Sequence, residues 1–306
     1  MFEWNAPRRW LCPLRRHCLK QLILLGCSVF CLQTPVQSDP VEPSQAELDA
    51  VTRIFIKEVD HLLFVPIADQ ALYANRLKQS LVAASLDDLP TQALVVVDRN
   101  PQVQAAFVVV RLHSGSMHWI GATSVSTGKP GRFEHFYTPL GVFAHSLDNP
   151  DFRAEGSFNK NHIRGYGLRG KRVFDFGWQA GERGWGKGGV SQMRFQMHAT
   201  DPDVLEQRLG QVDSEGRIRI PATLNVFLDR LGVLDADYKA AIANGSAMWV
   251  IRHQGATLPW PGRYLVIIDS LATERPSWSP EPIPRHAGKL ASAPTVSQVR
   301  VRPGQP

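Results

Sequence analysis

Cysteine is scarce in this chain of 306 residues, and none lies beyond position 31. The four present are Cys12, Cys18, Cys27 and Cys31. If the segment that carries them is removed, the rest has no disulfide, no Cys-ligated metal and no thiol nucleophile. Net charge is also small once that segment is set apart. The formal charge is +6, but residues 1–38 hold five basic residues and one acidic one, so about two positive charges remain for the other residues. That balance leaves no basic footprint for nucleic acid. No cofactor is called for by any motif.

The first 38 residues have the outline of a secretory signal peptide. Arg8, Arg9, Arg15, Arg16 and Lys20 form a basic start, 22–32 is a short apolar run, and Val36-Gln37-Ser38 fits a small-residue cleavage site. The apolar run is too short for a comfortable membrane span. Two variants stay open. Leu24-Leu25-Gly26-Cys27 resembles a lipoprotein box, which would leave a membrane tether through the N-terminus. Arg15-Arg16 resembles part of a twin-arginine signal. All three readings predict export to the periplasm or cell envelope.

Beyond a Pro-containing linker, Ser44 and Glu47 have capping-box spacing. Leu48, Val51, Phe55, Val59 and Leu62 recur at helical spacing, predicting a helix over 45–63. A second helix is predicted over 70–84 with Tyr73, Leu77 and Leu81 on one stripe. Together they make a helical N-terminal segment, 39–91, read as a packing pair. From 92 the chain turns β-rich. Strands are predicted over 93–98, 106–111, 117–125, 193–198, 218–220 and 264–269. Pro221 opens a helix bearing Leu224, Phe227, Leu228 and Leu231, stopped by Gly232, and a short helix follows over 236–243. Residues 271–306 are rich in proline and are expected to be a disordered tail.

Several short motifs in order resemble the L,D-transpeptidase (YkuD-type) catalytic domain. These are Val97 to Gln104, Ser124-Val125-Ser126-Thr127-Gly128, Tyr137 to Phe143, Met197-His198-Ala199-Thr200, and Ser214-Glu215-Gly216-Arg217-Ile218-Arg219. The resemblance covers about 92–270. It implies a mostly-β (α+β) fold, a twisted β-sandwich or open barrel with small helices. It also implies action on peptidoglycan stem peptides, with an acyl group carried on a Cys and passed to an amine. Residue by residue, it assigns His198 as general base, Gly216 to the oxyanion region, Ser214 to fixing the histidine, and Arg219 to a substrate carboxylate. Thr200, Trp178 and Trp185 are expected among the substrate contacts. Arg217 stands where the family has its nucleophilic Cys. A guanidinium stays protonated and only donates hydrogen bonds, so it cannot form an acyl-enzyme.

The expected function is therefore a wall-associated member of that family, impaired or inactive in acyl transfer. An active L,D-transpeptidase or carboxypeptidase is the alternative, either because Arg217 is a one-base variant of a Cys codon or because Ser214 serves as nucleophile. A secreted β-domain unrelated to the wall is another, and would be favoured if His198 and Arg217 lay on different faces. Asp201, Asp203 and His198 suggest a metal site, but Asp201-Pro202-Asp203 reads better as a turn, and no metal is expected. The aromatic, Gly-rich stretch 174–189 reads equally as a mobile lid carrying aromatics for sugars or as a surface loop. Arg164, Arg169, Lys171 and Arg172 read as a solvated basic strip.

Overall fold

The capping box forms as the spacing predicts. In the computed structural model, which describes residues 42–252 and 255–281, the Ser44 Oγ accepts from the Glu47 N–H while the Glu47 carboxylate accepts from the Ser44 N–H. Helix α1 (Gln45–Glu58) buries Leu48, Val51 and Phe55. It ends at Glu58 rather than 63, because the chain next joins a sheet. Leu63 N–H donates to the Ala122 carbonyl and Ser124 N–H to the His61 carbonyl. Helix α2 (Ile67–Ala83) starts after Pro66 and buries Tyr73, Leu77 and Leu81, the predicted stripe. The leader expected over 1–38 lies outside the described residues.

Two mixed sheets follow. The first runs β3-β2-β1-β9-β4, from β1 (Gln92–Asp98), β2 (Ala105–Arg111), β3 (Met117–Ser124), β4 (Gly141–Ala144) and β9 (Tyr264–Ile268). The second runs β5-β6-β7-β8, from β5 (Phe152–Arg153), β6 (Arg172–Glu182), β7 (Val190–Ala199) and β8 (Ile218–Ile220). Pairings β1–β9 and β7–β8 are parallel and the others antiparallel. Neither sheet closes into a barrel, and the fold is broadly mostly β with few helices. Among the described residues no helix is long and apolar enough to cross a membrane.

The unbroken apolar runs of β1 and β2 arise because both faces of the first sheet are covered. Val95, Val97, Ala106 and Val108 share a core with Phe174, Phe195 and Met197 of the second sheet, with α1, and with α3 (Ala222–Leu231). Leu94, Val96, Phe107 and Val109 share another with α2. The two N-terminal helices thus bury their stripes on opposite faces of the first sheet and are not a packed pair. Residues of the expected 39–91 and 92–270 segments belong to one compact unit.

Three further expectations change. The first part of the stretch 174–189 is strand rather than lid or loop: Phe174 and Phe176 are core residues of β6, which runs to Glu182 and whose antiparallel pairing with β7 shifts register between Asp175 and Trp178. That irregularity hides the strand's alternation in the sequence. Arg172 is not on a solvated strip. It is fully buried and donates to Asp151 and Asp235, with Asp229 3.4 Å away. Next to it His145 lies between two acceptors, the Leu234 carbonyl (2.8 Å) and Asp151 (2.8 Å). The expected tail begins late: through Glu281 the chain is a packed strap. Trp278 stacks edge-on against Tyr73 and Phe107, and its Nε1–H donates to Asp69 at 2.6 Å. The rest of the tail, 282–306, lies outside the described residues.

Candidate functional site

Sheet pairing brings the separated motifs together. Strands β7 and β8 run parallel, which sets His198 beside Arg219. Residues 214–217 form the turn entering β8. Within it the Ser214 Oγ–H donates to the Arg217 carbonyl at 2.5 Å and the Oγ accepts from Gly216 N–H at 3.1 Å. Gly216 has φ +116°, and a Cβ there would stand 2.8 Å from Phe136. Gly128 is pressed against the same turn, where a Cβ would meet the Phe136 carbonyl oxygen at 2.1 Å and Gly216 Cα at 3.0 Å. Only glycine fits two backbones that approach so closely.

A chain of hydrogen bonds links these pieces. Gln104 exchanges bonds with Thr127, from Nε2 to Oγ1 (2.8 Å) and from Thr127 N–H to Oε1 (2.8 Å). Thr138 Oγ1 accepts from Gly128 N–H at 2.9 Å and donates to the Gly216 carbonyl at 2.7 Å. Lys129 N–H donates to the Ser214 carbonyl at 2.8 Å. The opening hairpin, the Ser-Thr-Gly strand end, the Thr-Pro loop and the 214–219 turn thus form one floor.

Above that floor is a cleft of about 570 Å³, a size common for small-molecule sites. His198, Ser214, Arg217 and Arg219 all line it. So do Lys129, Arg132 and Arg208, against Asp213 and Glu215 as the acidic groups among the described residues. Five cations facing two carboxylates give a positive cleft. The cations are not equally available. Asp213 takes up Arg219, through its backbone carbonyl (2.6 Å) and carboxylate (3.3 Å), and pairs with Arg208 at 3.4 Å. Arg217 lies over the Tyr166 ring, 5.7 Å from its centroid, and among the described residues its side chain has no ion pair.

His198 is buried, with its Nδ1 2.7 Å from the Ala199 carbonyl. A carbonyl only accepts, so Nδ1 carries the proton and Nε2 is left with its lone pair. Burial pushes its pKa down to about 3, and the charges of Arg219 and Arg217 add to the drop. Tyr166 packs edge-on against the ring at 4.9 Å. The histidine is neutral, oriented and weakly basic.

Not every expected residue joins the cleft. Gly216 lies in the floor, and its N–H is spent on Ser214. Ser214 itself is held by its own turn rather than by His198, which argues against a serine nucleophile. Thr200 is fully buried behind the histidine and does not line the cleft. Trp178 and Trp185 line a neighbouring cavity instead. Asp201 accepts from Asp203 N–H at 2.9 Å and from Arg164 N–H at 2.7 Å, the turn predicted for that segment. Lys129, Arg132, Arg208 and Tyr166 were not anticipated. Lys129 directly follows the Ser-Thr-Gly piece and Arg132 comes three residues later, a signal available in the sequence, whereas Tyr166 arrives through a loop that no spacing marks.

No family model and no curated protein matches this chain. The chemistry of the cleft is therefore the basis for any assignment. A cationic pocket with a fixed neutral histidine, and with the Ser214 Oγ held by its own turn, is suited to binding an acidic ligand. It is poorly suited to forming a covalent intermediate.

Proposed function

We propose that this chain is an exported, peptidoglycan-associated protein of the L,D-transpeptidase type, YkuD-like in fold, that binds stem peptides without acylating itself. Its place of action is the periplasm or cell envelope. The observation that carries this reading is the convergence of the ordered motifs, by hydrogen bonds, on the floor of one cationic cleft that holds both His198 and Arg217. Chance motif matches would not be expected to meet at one site. Stem peptides carry free carboxylates, and Arg217 offers a guanidinium that makes no ion pair among the described residues. The Cys-to-Arg position changes the site from a nucleophile's to a carboxylate receptor's.

Calorimetry with a sugar-free stem tetrapeptide tests this. The full chain should bind it saturably, and Arg217→Ala should weaken binding by about tenfold or more, the scale of a lost charge-assisted hydrogen bond. The wild-type protein should form no carbapenem adduct, while Arg217→Cys should gain one at the new thiol. Cross-linked dimers formed by wild-type protein from disaccharide-tetrapeptide would overturn the non-acylating reading. Absence of peptide binding would overturn the assignment itself.

A further inference from the structure

A second cavity of about 430 Å³ shares Arg217 and Glu215 with the cleft. It is lined by Phe133, Phe136, Trp178, Trp185, Gln192 and Arg217, among others. Its chemistry differs from that of the cleft. Its charged lining balances, with Glu134 and Glu215 against Arg194 and Arg217, and Arg194 is already paired with Asp175. Apart from Met193, its apolar lining is aromatic. Trp185 meets Phe136 edge-on at 4.7 Å and Phe133 at 5.8 Å. Phe133 is 75% exposed and Trp178 65% exposed, an unusual placement for such large apolar groups gathered at one concavity. Trp178 is fixed on β6, where it pairs across the sheet with Arg194 of β7. A strand holds an aromatic ring more firmly than a loop does.

We propose that this cavity is a saccharide subsite. A β-linked pyranose presents axial C–H groups on its faces and hydroxyls around its rim. The C–H faces match the electron-rich faces of exposed Trp178 and Phe133, and Ser191 and Gln192 on β7 supply rim hydrogen bonds. The balanced charge favours a neutral sugar over a polyanion, unlike the cleft next to it. Arg217 lines both cavities, so a ligand with an acidic peptide joined to a sugar would span the two with a carboxylate at the junction. The identity of the sugar as an N-acetylated amino-sugar strand rests on the peptide-binding reading above; the aromatic subsite does not.

The test is calorimetric titration of the full chain with a peptide-free β-1,4-linked N-acetylglucosamine disaccharide and, separately, with the sugar-free stem tetrapeptide. Saturable disaccharide binding is expected. Trp178→Ala should weaken it by about tenfold and leave the peptide affinity within about twofold. Phe133→Ala, at a second exposed position, should do the same. Failure of the disaccharide to bind, or an unchanged affinity in both variants, overturns the subsite. Peptide binding without disaccharide binding overturns the subsite and leaves the proposed function standing. Disaccharide binding without peptide binding does the reverse.

Discussion

His198 and His145 are both buried, yet they hold protons in opposite ways. At His198 burial is the largest effect and the two arginines add to it, so the pKa falls to about 3. At His145 burial also opposes the charge, but the hydrogen-bonded Asp151 carboxylate outweighs it, and the pKa is raised. The signs follow from linkage. Below about pH 6.5 the unfolded chain protonates residue 198 while the folded chain does not, so stability falls as pH drops toward the folded value. Residue 145 contributes stability below that same unfolded value and loses it as pH rises through its raised folded pKa. Thermal melts across pH should therefore show less acid-side loss in His198→Gln and less alkaline-side loss in His145→Gln. Ring-proton NMR of the wild type should show no titration of His198 between about pH 5 and 8. The chemistry at 198 is legible from sequence in position but not in basicity, because its desolvation comes from residues far along the chain, Tyr166 among them.

Regular elements are well anticipated where one periodicity rules. The stripe of α2, the paired apolar runs of β1 and β2, and the Gly232 stop of α3, with φ +61°, all follow from local pattern. The strand β6 is missed because its register shift breaks the alternation, and the end of α1 because a sheet partner, invisible locally, captures the chain after Glu58. The joint between motif loops is the element on which the site depends most. Thr138 is buried and bridges Gly128 N–H to the Gly216 carbonyl. Thr138→Val keeps the shape and removes both bonds, leaving a buried donor and acceptor unpaired. It should destabilise the chain by about 1–3 kcal/mol in urea unfolding. The same variant should weaken tetrapeptide binding, because the turn that carries Arg217 loses a support. Unchanged stability would show that the two loops are held by their other contacts.

At the scale of the whole molecule, the order of motifs was readable, but the joining of the helical segment and the strap to the motif-bearing region was not. Sequence divides the chain into helices, a β-rich region and a tail, whereas packing joins the first two with the tail as far as Glu281. The strap is the clearest case, since its prolines read as disorder until its few anchoring side chains are placed. Ser279 Oγ lies within hydrogen-bond distance of the Gln102 (2.8 Å) and Val103 (2.9 Å) carbonyls, and Arg275 donates to the Pro101 carbonyl at 3.0 Å. Pro280 lies over Gly210, where a Cβ would meet it at 2.5 Å. The strap thus ties α2, the β1–β2 turn and the segment leading to residue 214. Trp278 is its principal anchor, half-buried against Tyr73 and Phe107. Trp278→Ala removes that aromatic contact and leaves Asp69 without its indole donor. The expected loss is about 2–3 kcal/mol, read as a drop of several degrees in Tm, since about 1 kcal/mol shifts a domain of this size by about 2–4 °C. Because Trp278 lines neither cavity, tetrapeptide and disaccharide affinities measured well below the transition should stay at wild-type values. If binding falls while Tm does not, the strap acts on the site rather than on stability.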